Sequence, residues 1–407
     1  MKVSLSKVRL FALILSFCFV SFFGGWWLGH QDVVVNREKI VPQVTINRAT
    51  PQDKQNVEFA LFWSVWDRLE NSYYDKTKLD TKEMVYGAIK GMVAAVGDPY
   101  TVFLPPTEQK RTQEDLGGQF EGVGIQIGFK GTQLAVIAPL DGSPAQKAGI
   151  KAGDFIVGIK DKEKNVEIGT VGMSLPDAVD LIRGKAGSAV TLVLTREGVD
   201  KPFEKELTRA KIEVPSVILT FEGPDKNIAH LKLLRFGDQT DNEWNNAIKK
   251  IKDQNGKGVI LDLRNNPGGY LNGAVTIASE FMSSGVVVIE SGKGNNKELK
   301  VTGNPKLPNI PLIVLVNKGS ASASEIVAGA IKDSGRGQIV GDTTFGKGTI
   351  QESQEIGQAG LHITIAKWLT PKGTWVNGTG LEPDVKITQG DDSEKDNQLE
   401  KAIELLK

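Results

Sequence analysis

The second half of the chain alternates between two kinds of segment, and that alternation restricts its fold more than any other feature. Short strand-like runs are interleaved with stretches whose apolar residues recur at helical spacing. In order they are Ile228–Leu234, Trp244–Ile251, Gly258–Leu263, Ala274–Met282, Val286–Glu290, Leu312–Val316 and a helix from Ser322. Strands alternating with helices indicate an α/β layered domain. His362–Trp368 adds a late strand, and Leu399, Ala402, Ile403 and Leu406 stripe a C-terminal helix. No internal repeat or low-complexity tract interrupts the pattern.

Upstream the texture differs. Phe59, Phe62, Trp63, Trp66 and Leu69, then Val85, Ala88, Ile89, Met92, Val93 and Val96, mark two amphipathic helices, which read as packing elements. Asp98-Pro99 breaks the second. From Gly117 to about Arg196 lies a small strand-rich module. A glycine loop, Gly122-Val123-Gly124-Ile125, feeds an alternating strand, and Phe155–Ile159 and Val190–Leu194 are further strands. Ser143-Pro144 starts a short helix with Ser as N-cap and Pro at the first helical position, and Ser174–Ile182 is a second helix.

At the N-terminus, Lys2, Lys7 and Arg9 precede the uncharged stretch Leu10–Gly29. As a helix this would span about 30 Å, the thickness of a bilayer's hydrocarbon core. The flanking charges hold that end in the cytoplasm and export the rest. Trp26 and Trp27 stand where a cleavage site would need small residues, so an uncleaved signal-anchor is expected over a cleaved signal peptide. Residues 31–52 read as a tether.

Lys plus Arg and Asp plus Glu both total 49 in 407 residues, which argues against a nucleic-acid-gripping protein. One Cys excludes an internal disulfide framework and a thiolate zinc cage. The three histidines are His30, placed at the membrane, and His230 and His362, both within strand patterns. Little material is left for a histidine base. No metal or other cofactor is expected.

Two glycine patterns suggest nucleotides and fail on context. Gly122-x-Gly124 lacks the third glycine of a dinucleotide loop. Gly341-x-x-x-x-Gly346-Lys347 is followed by Gly348 where a phosphate loop needs Ser or Thr, and Thr349–Ile356 alternates like a strand.

The segment Gly319-Ser320-Ala321-Ser322-Ala323-Ser324-Glu325 joins a strand to a helix. Ser322-x-x-Glu325 is a capping box, and capping alone accounts for most of the pattern. A hydroxyl at a helix N-terminus also sits among unpaired N–H groups able to stabilise an oxyanion. A serine nucleophile needs a base, and Lys347 is the available substitute for histidine. It must lose its proton near neutral pH, far below the free value of about 10.4. Burial supplies such a change. Gln351 lies on the same strand face and is expected to orient the amine. The segment Asp262–Gly269 ends a strand in a glycine-containing turn, which reads equally as a second oxyanion donor or as a simple strand-to-helix turn.

In combination these segments resemble the carboxy-terminal processing peptidases, or tail-specific proteases. The resemblance runs through Gly87–Leu104, the embedded module, Leu261–Gly269, Gly319–Ile331, Thr344–Gln351 and Thr370–Val385. It implies a serine endopeptidase with Ser322 as nucleophile, Lys347 as base and Gln351 in support. The N–H groups of Ala323 and of the Gly268-Gly269 turn would form the oxyanion hole. Asp333 matches a family position whose role is either supportive or a structural ion pair. The module resembles a PDZ domain, whose Gly122, Val123, Gly124 and Ile125 would receive a substrate's C-terminal carboxylate. Partners are then proteins with accessible apolar tails and the membrane, with no nucleic acid; homo-oligomer formation stays open.

The expected fold is a multidomain α+β and α/β chain. It comprises an N-terminal membrane helix (1–30), a tether (31–52), a helical segment (53–116), a PDZ-like domain (117–200), an α/β layered protease core (201–390) and a C-terminal helix (391–407). The alternatives from other classes are a membrane-tethered tail-binding adaptor with an inert dyad, and a nucleotide-binding protein.

Overall fold

The structure is a computed structural model describing residues 58–140, 142–292, 294–388 and 395–407. The expected membrane helix and tether lie outside these residues. Among the described residues no helix is long and apolar enough to cross a membrane.

The chain divides into two compact units, one ending at Val85 and the other running Tyr86–Lys407. The first contains α1 (Ala60–Ser72), whose rings Phe59, Phe62, Trp63 and Trp66 follow one another at centroid distances of 4.9 to 6.1 Å. Trp66 is buried there, while Leu61, Val65 and Leu69 stay exposed. Helix α2 (Thr81–Ala94) spans the boundary between the units.

Next come β1 (Val102–Leu104), α3 (Pro106–Gly117) and β2 (Gln119–Gly122), which leads into the strand-rich module. The module consists of β3 (Ile125–Lys130), β4 (Gln133–Pro139), α4 (Pro144–Lys147), β5 (Phe155–Asp161), β6 (Val166–Gly169), α5 (Leu175–Ile182), β7 (Ala189–Thr195) and β8 (Phe203–Thr208). Its strands run β3-β4-β5-β7-β8, with β6 added on β5. The predicted Ser143 cap forms, accepting from Gln146 N–H at 3.2 Å; Ser174, expected as the first residue of its helix, caps it as well, accepting from Asp177 N–H at 3.3 Å. Ile156, Ile159, Leu192, Leu194 and Ala178 interlock as the module's core. Strand β8 extends the sheet past residue 200. Its alternation is masked in sequence because Glu204, Lys205 and Glu206 surround the one deeply buried residue, Leu207. The chain leaves through β9 (Ala210–Glu213), which pairs antiparallel with β2 and so closes the module at its base.

The layered core follows: β10 (Val217–Glu222), β11 (Ile228–Leu233), α6 (Thr240–Asp253), β12 (Gly258–Asp262), α7 (Leu271–Ser279), β13 (Val286–Ser291), β14 (Asn296–Lys300), β15 (Leu312–Val316), α8 (Ala323–Asp333), β16 (Gln338–Gly341), β17 (Thr349–Ile356), β18 (Ala359–Leu369), β19 (Val385–Lys386) and α9 (Asn397–Leu405). The central sheet runs β10-β11-β12-β15-β16-β19, parallel from β11 onward. Strands β12 and β15 are buried along their whole length because side chains of opposite parity meet different layers. Val259, Leu261, Leu312, Val314 and Val316 pack with residues of α6, α7 and α8. Ile260, Ile313 and Leu315 face Leu399, Ala402 and Ile403 of α9. That second layer is tied down by Arg264, which bonds Asp262 at 2.7 Å and Asp396 at 2.8 Å. A second sheet, β1-β18-β13-β14 with β17 on β18, adjoins it.

Candidate active site

Open parallel sheets present their carboxyl ends as the place where loops converge on a ligand. Here three adjacent strands do so: β12 runs into the turn containing Gly268, β15 into Ser322, and β16 into the loop containing Lys347.

The three serines of the Ser-Ala-Ser-Ala-Ser run have different environments. Ser320 is fully buried, donating its hydroxyl to Leu263 O at 2.7 Å and accepting from Asn317 N–H at 3.0 Å. Ser324 is equally buried and donates to Asn266 O at 2.9 Å. Ser322 alone of the three is partly exposed. Its φ of 56° and ψ of −115° lie where a side chain costs about 1–3 kcal/mol. Such a strained strand-to-helix corner holds a hydroxyl out from the backbone, the geometry of nucleophile-bearing turns.

Glu325 connects this corner to the lysine loop. Its buried carboxylate accepts from Ser322 N–H at 2.8 Å, Thr344 Oγ1 at 2.5 Å, Gly346 N–H at 2.7 Å and Lys347 N–H at 2.9 Å. One carboxylate therefore fixes both segments. The remaining backbone groups of the loop are also engaged. Gly346 O accepts from Gly378 N–H at 2.9 Å, and Gly348 N–H donates to Asn377 Oδ1 at 3.1 Å. Lys347 O accepts from the Trp368 indole at 2.9 Å and Gly348 O from the Trp375 indole at 2.8 Å. A lysine stem is flexible; this one leaves from a backbone with little freedom.

Burial lowers the Lys347 amine's pKa below the ordinary lysine value, with Asp98 and Glu325 opposing it. The amine stands 5.1 Å from the centroid of the Tyr100 ring. Gln351 lies on β17 as expected, yet its amide donates to Thr349 Oγ1 at 2.8 Å and Thr364 Oγ1 at 3.0 Å. Among the described residues it makes no bond to the lysine amine.

Gly268 is pressed onto the serine corner: with φ of 101°, a Cβ there would lie 2.9 Å from Ser322 Cβ and 3.0 Å from Ala323 N. Its N–H, expected in the oxyanion hole, donates to Asn266 Oδ1 at 2.9 Å. Ala323 opens α8 in the expected place. Gly269 packs against the Phe236 backbone. Asp333 ends α8 and accepts from Lys372 N–H at 2.9 Å, so it fixes a turn. It forms no ion pair among the described residues. His230 bonds Asp262 at 3.0 Å within the sheet, and His362 sits on β18, its pKa lowered by burial and by Lys347.

In the module, Val123, Gly124 and Ile125 line one side of a cavity of about 130 Å³ closed by Val179 and Ile182 of α5; Gly122 ends β2 and is not part of the lining. Arg183 stands at its rim, 4.3 Å over the Phe120 ring and 3.5 Å from Glu114 of α3.

The residues that sequence reasoning overlooked are Asp98, Tyr100, Glu325 as a double clamp, and the two tryptophans. The Asp98-Pro99 signal was visible only as a helix breaker, and Glu325 only as the second half of a capping box.

Family comparison fits this geometry. The sequence pattern of Peptidase family S41 matches residues 227–387, that of a PDZ domain 136–196, and that of the activating protease CtpB N-terminal domain 19–107. The carboxy-terminal processing protease CtpA of Bacillus subtilis is 37% identical over 324 residues, covering 79% of this chain and 67% of its own. The carboxy-terminal-processing protease of Bartonella bacilliformis is 36% identical over 351 residues, covering 84% of this chain and 78% of its own. The chain belongs to peptidase family S41.

As an S41 peptidase it is a serine-type endopeptidase that carries a PDZ domain. A solved S41 protease from Bacteroides fragilis shares the fold at 14% identity, with a TM-score of 0.54, covering 89% of this chain and 99% of that one. The phosphate-loop alternative loses its structural premise, because Lys347 leads into strand β17 and a phosphate loop leads into a helix.

Proposed function

We propose that this S41 peptidase is an extracytoplasmic endopeptidase, held at the membrane by its N-terminal segment. It takes substrate proteins by accessible apolar C-terminal tails and cleaves them at or near those tails with a Ser–Lys dyad. The observation carrying the dyad is the Glu325 carboxylate, which accepts from the backbone N–H of Ser322 and of Lys347 at 2.8 and 2.9 Å.

In the proposed reaction Lys347, as the free amine, takes the proton of the Ser322 hydroxyl while Oγ bonds to the substrate carbonyl carbon. The carbonyl electron pair moves to oxygen, beside the Ala323 N–H at the start of α8. For Gly268 to donate as well, its N–H must leave Asn266 Oδ1. Lys347 then passes its proton to the leaving nitrogen as the C–N bond breaks, and water releases the acyl group. Gln351 acts through Thr364 on the segment facing the lysine. The tail adds as a strand beside β3, its last side chain in the cavity against α5. The relatives' designation as carboxy-terminal processing proteases supports the substrate class.

The test is cleavage of a protein with an apolar tail by purified wild type, Ser322→Ala and Lys347→Ala. Both variants should be inactive; retained cleavage in either removes the dyad. Tail binding without cleavage by wild type at alkaline pH would instead favour an adaptor.

A further inference from the structure

Lys347 has an unusual set of neighbours. Among the described residues its amine has no hydrogen bond and no ion pair. The titratable groups that interact with it are Asp98 from the turn after α2, Glu325 from α8, His362 from β18, and Tyr100. Both carboxylates are committed elsewhere. Glu325 accepts from Ser322, Thr344, Gly346 and Lys347 N–H or O–H groups. Asp98 accepts from Tyr100 N–H at 3.1 Å and Thr101 Oγ1 at 2.6 Å. What directly faces the amine is the Tyr100 ring, 5.1 Å away at its centroid. An aromatic face at that range attracts an ammonium and is indifferent to a neutral amine.

The turn that carries the ring is held from both sides. Asp98 fixes the turn on which it stands, Thr364 N–H donates to Thr101 Oγ1 at 3.0 Å, and Gln351 donates to Thr364 Oγ1 at 3.0 Å. This chain of bonds links β17 and β18 to the Asp98–Thr101 turn, on which Tyr100 stands.

We propose that Tyr100 is a positioning residue for Lys347, its ring face supporting the amine's charge during the part of the cycle in which the amine holds the serine proton. The inference rests on Lys347 being the base. A neutral amine is needed to start the reaction and a charged one is formed within it. A π face assists the second state without a fixed counter-ion, which would hold the proton permanently.

The experiment is the pH profile of kcat/KM for cleavage of an internally quenched apolar peptide by the purified full-length protein. Wild type is compared with Tyr100→Leu and Tyr100→Phe, with folding checked by thermal unfolding. Loss of the ring face removes support for the ammonium, so Tyr100→Leu should move the acid limb down by about 0.4–0.7 pH unit. That shift corresponds to about 0.5–1 kcal/mol of cation–π attraction. Its plateau should fall about 2- to 5-fold on the same conversion. Tyr100→Phe keeps a ring face and should return the limb to the wild-type position. An unmoved limb in Tyr100→Leu overturns the proposal, as does an equal shift in Tyr100→Phe, which would assign the effect to the hydroxyl. If Tyr100→Leu does not fold, Tyr100→Met is read the same way. Failure of the underlying base assignment looks different: Lys347→Ala would retain both the activity and the acid limb, which also overturns the role of Tyr100.

Discussion

At the residue scale, the three neighbouring serines show how identical side chains are separated by their surroundings. Ser320 and Ser324 spend their hydroxyls on Leu263 and Asn266 carbonyls, whereas Ser322 keeps access. Ser324→Ala should therefore cost about 1–2 kcal/mol in urea unfolding, because a buried carbonyl loses a donor, while cleavage persists. Glu325→Gln is the harsher change. An amide NH₂ would replace one oxygen of a carboxylate that now faces donors only. Unfolding should cost about 3 kcal/mol or more and cleavage should fall below detection. For Lys347, burial lowers the pKa, so the free-base fraction and the rate rise as pH climbs toward a midpoint below about 10.4. Lys347→Arg, which stays charged throughout, should show no such rise.

At the element scale, the strands that end at the site were legible because period-two burial and apolar runs write themselves into sequence. Leu312–Val316 and Thr349–Ile356 were predicted with the limits they have. The Ser143 cap was equally readable, since capping is local chemistry. Strand β8 was not, because charged residues on its open face conceal a single buried Leu207. Nor was the convergence on Lys347 of Tyr100 and Trp368. Contacts between distant segments leave no spacing to read. Close approach at the Gly268 turn yields another prediction. Gly268→Ala would place a methyl within 2.9 Å of Ser322 Cβ at a φ of 101°, so kcat should drop more than about 100-fold. Circular dichroism would check that the sheet persists.

At the scale of the whole molecule, the PDZ module enters and leaves through the paired strands β2 and β9. A module whose ends lie side by side can be removed without stretching what remains. Replacing residues 123–209 by a short Gly-Ser linker should leave a protein with a cooperative thermal transition. Its preference for an apolar-tailed substrate over a tail-less one should vanish; a retained preference would assign tail selection to the core.

The position of Glu325 has a consequence for how the enzyme opens. Flexible loops are where hydrogen exchange is usually fastest. The amides of Gly346 and Lys347, however, donate to a carboxylate buried beneath the helix that Ser322 begins. They can exchange only when their bonds to that carboxylate break. The loop bearing Lys347 should thus be among the slowest-exchanging surface segments of the protein. A chain that has lost its fold loses the Ser322 corner and the Lys347 loop in the same event, so on the proposed dyad a half-unfolded copy is an inert one.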